Sequence, residues 1–97
     1  MTRMQRFADD DAGYLSWISR NPDGYVVNAD RNPSPNYLML HRATCRTITE
    51  NPTRGGRWTV DYIKLCGQRD ELERWAHDEI GGSLQPCGHC SSATFSA

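Results

Sequence analysis

The residue types that could do chemistry in this chain are its cysteines and histidines, and two of the cysteines form a tight pair, Cys87-Gly88-His89-Cys90. Two sulfurs separated by two residues, on a turn that contains glycine, can face one tetrahedral cation. A second pair stands upstream in His41-Arg42-Ala43-Thr44-Cys45. Here an imidazole and a thiol lie four positions apart, where an apolar run gives way to a short polar segment, so both can lie to one side. Cys66 closes a later apolar run and is a further candidate. Two ligand sets for one zinc ion therefore compete. One is His41, Cys45, Cys87 and Cys90; the other replaces His41 with Cys66. The first matches the two close pairs usual in structural zinc sites. A lone cysteine at a strand end is often a small buried hydrophobe. His77 reads as a solvated helix position, and His89 as an exposed residue between two ligands.

A dithiol pair can also do thiol–disulfide exchange. That chemistry uses a pair at a helix N-terminus, where the dipole lowers a thiol pKa. Here Pro86 precedes the pair and seven residues follow Cys90, which leaves no helix to supply that field. The metal reading is preferred. No serine lies in a nucleophile-elbow motif, and Gly55-Gly56 and Gly81-Gly82 read as turns, not as a phosphate cradle.

The bulk composition agrees with a staple. With 97 residues the chain is one small domain, and a domain of this size buries roughly 60–65% of its unfolded surface. Hydrophobic residues make up 37% and mean hydropathy is -0.73, so a metal would supplement a thin core. No apolar segment approaches the ~20 residues of a membrane span, and the N-terminus has no apolar leader core. The expected setting is cytoplasmic, where cysteines serve metal or redox chemistry more often than structural disulfides.

Net charge is -1, but the charge is unevenly placed. Residues 31–64 carry Arg31, Arg42, Arg46, Arg54, Arg57 and Lys64 against Glu50 and Asp61. Ten of the eleven cations are arginine, the side chain suited to bidentate phosphate contact. This basic island makes Arg42, Arg46, Arg54, Arg57 and Lys64 candidate phosphate contacts, with Trp58 or Tyr62 available to stack on a base.

The elements that must position these residues follow from periodicity. Asp9 to Arg20 predicts a helix capped by Asp9, Asp10 or Asp11, with Tyr14, Leu15, Trp17 and Ile18 on its apolar face. Asn21-Pro22-Asp23-Gly24 stops it. Gly24–Asn28 and Tyr37–His41 read as two strands able to form a hairpin, and Trp58–Cys66 as a third. Gln68–Ile80 predicts the best helix, ended by Gly81-Gly82. Tyr14, Trp17 and Tyr25 are expected in the core. The expectation is a single small α+β domain over 1–97, zinc-stapled, in the order α-β-β-β-α with a short antiparallel sheet and a flexible tail at 91–97.

The run Tyr37-Leu38-Met39-Leu40-His41-Arg42-Ala43-Thr44-Cys45-Arg46, together with Asp70–Ala76 and Gly82 to Pro86-Cys87-Gly88-His89-Cys90, resembles the Ada-type zinc modules of DNA repair. Those modules place a strand, a ligand, three residues, a cysteine and a basic residue before a short acidic helix and Pro-Cys-x-x-Cys. The resemblance covers roughly residues 37–90. It departs in the first ligand, which here is His41 where Ada has cysteine, and in a longer spacing from Cys45 to Cys87. It implies a DNA-recognition module, a targeting domain in repair, restriction or defence. Methyl transfer to a zinc thiolate is also implied, but an imidazole in place of one thiolate makes the remaining sulfurs poorer nucleophiles. A protein-interaction or accessory role is the further alternative.

Overall fold

The computed structural model describes residues 4–45, 59 and 62–87 of the chain. Its first regular segment is a three-residue strand, β1 (Gln5–Phe7). Asp10 then opens helix α1 (Asp11–Arg20), its carboxylate accepting the Gly13 N–H at 2.9 Å. Of the three aspartates expected as caps, Asp10 takes the role. Asp9 adopts a left-handed conformation (φ 56°) and pairs with Arg31. At the other end the Asn21 N–H returns to the Trp17 carbonyl at 3.0 Å and the chain turns.

Strands β2 (Tyr25–Asp30) and β3 (Leu38–Arg42) form the expected antiparallel hairpin. Strand β4 (Tyr62–Gly67) pairs antiparallel with the other side of β2. Helix α2 (Arg69–Trp75) follows, with the Gln68 N–H donating to Glu71 Oε1 at 3.0 Å, and continues as a wider π-helical turn over Ala76–Ile80. The chain then returns to the sheet as β5 (Gln85–Pro86).

The sheet is larger than expected. Its order is β1-β4-β2-β3-β5, and β5 runs parallel to β3, so it is mixed, not purely antiparallel. The α-β-β-β-α core sits inside β-α-β-β-β-α-β. The two added strands are short edge strands, three and two residues long, with no room for a period-two pattern. Tertiary pairing, not local sequence, makes them strands.

Each face of the sheet is covered by one helix. Alternation puts Phe7, Val26 and Cys66 on the face where Tyr14, Trp17 and Ile18 of α1 pack. Val27, Ala29, Leu38, Leu40, Ile63 and Leu65 lie on the opposite face, under Leu72 and Ala76. Full burial of one such aliphatic side chain contributes about 2 kcal/mol. Residue 59 ties the segment before β4 to α1: the Thr59 N–H and hydroxyl donate to Asp11 Oδ1 at 2.8 and 2.7 Å, and the hydroxyl accepts the Asp10 N–H at 2.7 Å. No helix among the described residues is long and apolar enough to cross a membrane.

The crossing from α2 to β5 depends on a close approach. A Cβ at Gly82 would lie 2.8 Å from Pro35 Cβ and 2.9 Å from its Cα. Glycine alone lets these two segments touch, and the contact guides the chain to the outer edge of β3. Gly82→Ala should therefore destabilise by about 1–3 kcal/mol through overpacking, read as a lower urea midpoint. An unchanged midpoint would show that the approach is not constrained.

Candidate metal centre

The end of β3 builds the first half of a cluster. The Cys45 N–H donates to the Arg42 carbonyl at 2.9 Å, closing a turn that folds Cys45 back on the strand. The Ala43 N–H donates to the Gly24 carbonyl at 3.0 Å and ties that turn to the start of β2. Strand β5 brings the second half. Met39 pairs with Gln85 and Leu40 with Pro86, and the Cys87 N–H donates to the Leu40 carbonyl at 2.9 Å. One further step in this register sets Cys87 beside His41. Pro86, which has no N–H to give a ladder, occupies an edge strand.

The ligand atoms of His41, Cys45 and Cys87 lie within 4.8 Å of one another. The two sulfurs approach to 3.9 Å. A tetrahedral zinc with Zn–S bonds of about 2.3 Å holds two sulfurs about 3.8 Å apart, whereas a disulfide requires about 2.05 Å. None of Cys45, Cys66 and Cys87 is in a disulfide. All three cluster residues are buried, with 6, 3 and 5% of their surface exposed, beside Tyr14, Trp17, Val26 and Ala43. Thiolates placed there without a cation would be penalised by desolvation, and a bound divalent cation removes that penalty. The donor set of sulfur and imidazole suits zinc. Cys90, the expected fourth ligand, lies outside the described residues.

The rival ligand Cys66 is not in this group. Cys66 and His41 both pair with Val26, one from each side, so β2 stands between them. Cys66 is fully buried, and burial pushes its thiol up to about 12, against a weaker pull from the Lys64 ammonium. It packs as a small apolar residue in the α1 face.

Among the expected phosphate contacts, Arg42 is exposed on the turn between His41 and Cys45. Lys64 is not on the surface. Only 5% exposed, its Nζ donates to Asn28 Oδ1 at 2.6 Å and lies 5.8 Å from the centre of the Tyr14 ring. Asn28 in turn donates to the Tyr37 hydroxyl at 2.9 Å. Both faces of β4 are covered, so its lysine must be inside. Tyr62 is half-buried and packs against the Tyr37 ring at 5.8 Å. Arg46, Arg54, Arg57 and Trp58 lie outside the described residues, as does His89. His77 is exposed, its Nδ1 2.9 Å from Asp78 Oδ1. Tyr14 and Trp17 are in the core as expected, and Tyr25 is half-buried.

Comparison with family models, curated proteins and solved structures found no match for this chain.

The buried Lys64–Asn28–Tyr37 chain escaped sequence reasoning, although the apolar run Ile63–Cys66 around the lysine was its available signal. Burial holds the Lys64 amine down to about 8, from 10.5. Between those values the unfolded chain binds a proton that the fold does not, so this lysine adds stability as pH rises from about 8 to 10.5 and costs most below 8. Urea midpoints of the native chain relative to Lys64→Met should climb across that window. A difference that stays flat with pH would contradict the burial.

Proposed function

We propose that the chain is a zinc-stapled, non-catalytic module that recognises nucleic acid, DNA in the first place, in a reducing cytoplasmic setting. The observation that carries this reading is the convergence of His41, Cys45 and Cys87 at tetrahedral sulfur spacing. Cys90 completes the set as the partner of Cys87 in the CxxC pair. The metal then fixes the backbone on both sides of Arg42, which is exposed between two ligands. An arginine on a rigid turn loses less entropy on meeting a phosphate than one on a mobile loop. The arginine-rich stretch 31–64 and the resemblance to Ada-type modules support the same direction. Lys64, buried, has no part in the contact.

Zinc here is structural. Both described sulfurs are buried, and one imidazole with three thiolates leaves a net charge of about -1, against -2 for four thiolates. Neither feature suits attack on a methylated phosphate.

Two measurements check the reading. Protein purified without added metal should contain about one zinc per chain, and Cys87→Ser should lose both zinc and fold. Fluorescence anisotropy with a short duplex should show binding that weakens with salt, with a log–log slope of a few units, reduced by about 1 in Arg42→Ala. Zinc without any binding of DNA or RNA at low salt would end the nucleic-acid reading and turn the search to a protein partner.

A further inference from the structure

The zinc reading leaves one property of the cluster unused. Its two described sulfurs come from segments 42 residues apart, and both segments depend on the same junction. Cys45 sits on the turn after β3, and Cys87 ends the edge strand β5. A bond between these two atoms would hold the same two segments that the metal holds.

Resting on the metal centre above, we propose that the centre is a redox switch with two staples: a hydroperoxide converts the zinc-bound thiolates of Cys45 and Cys87 into a disulfide, zinc leaves, and the disulfide keeps β5 on β3. The step balances as follows. One thiolate attacks the peroxide oxygen, the O–O bond breaks, and the leaving hydroxide takes a proton to become water. The sulfenic acid formed is attacked by the second thiolate, the S–S bond forms, and a second hydroxide leaves and is protonated. Two thiolates lose two electrons, the peroxide gains them, and solvent supplies two protons. Zinc loses two of its ligands and is released.

The geometry favours this pair. At 3.9 Å the sulfurs must close by about 1.9 Å to bond, a displacement within reach of side-chain rotation on a turn and a terminal edge strand. Cys66 is excluded as a competitor, because β2 lies between it and His41 and its side chain is fully buried. The alternative product, a disulfide inside the Cys87–Cys90 pair, would close a loop of two residues and leave Cys45 and β3 untied. The two products therefore differ in consequence as well as in mass.

The experiment uses the full zinc-loaded chain. One equivalent of hydrogen peroxide is added, zinc release is followed with a chromogenic chelator, and the product is digested without reduction and mapped by mass spectrometry. The expected result is release of about one zinc per disulfide, a Cys45–Cys87 linked peptide pair, a retained far-ultraviolet circular dichroism spectrum, and recovery of zinc binding after dithiothreitol. Cys66→Ser should behave as the native chain. Peroxide consumed with zinc retained, or a map showing Cys87 joined to Cys90, overturns the proposal while leaving the zinc reading intact. Starting protein that holds no zinc refutes the zinc reading instead, and the disulfide map of the same oxidised sample still decides the pairing.

Discussion

The approach of Cys45 to Cys87 is the constraint on which the edge of this fold depends. Strand β5 pairs with β3 over two residues, and the N–H of Cys87 adds one backbone hydrogen bond to Leu40. A net of about 1 kcal/mol per hydrogen bond does not hold a segment that short against its chain entropy. A structural zinc contributes on the order of 10 kcal/mol of coupled binding and folding. The metal term is therefore the larger by far, and it acts where the sheet is weakest. The opposite edge needs no such device, because Phe7 of β1 buries its ring against Tyr14.

The same constraint explains how two distant motifs meet. A hairpin puts His41 one strand in from the edge, a four-residue turn returns Cys45 to it, and the contact of Gly82 with Pro35 steers the chain so that β5 arrives alongside. Arg42 is carried on that turn with its side chain outward. Whatever it contacts, it does so from a backbone clamped at the residue before it and three residues after it.

Much of this was legible in the sequence because the signals were local. An aspartate before an apolar stripe gave α1, acids in the first turn and a Gly-Gly stop gave α2, and the hairpin followed from two apolar runs around a proline-containing loop. The two close ligand pairs were legible for the same reason. What was not legible depended on long-range pairing. Gln5–Phe7 and Gln85–Pro86 are too short to carry a period, and they become strands only beside β4 and β3. The choice between His41 and Cys66 turned on register, since both share a face and only the placement of Val26 between them separates them. Lys64 was assigned to the surface because lysine is seldom buried; its inward position follows from helices covering both faces of β4, which no local pattern announces.

The central claim is that one zinc ion is held by an imidazole and thiolates from both ends of this junction. Zinc K-edge X-ray absorption on the metal-loaded chain tests it most directly. The account predicts four-coordinate zinc with three sulfurs at about 2.3 Å and one nitrogen at about 2.0 Å, and imidazole multiple scattering that disappears in His41→Ala. A shell of four sulfurs would bring Cys66 back as a ligand and contradict the arrangement around Val26, and a six-coordinate oxygen shell would contradict the staple itself.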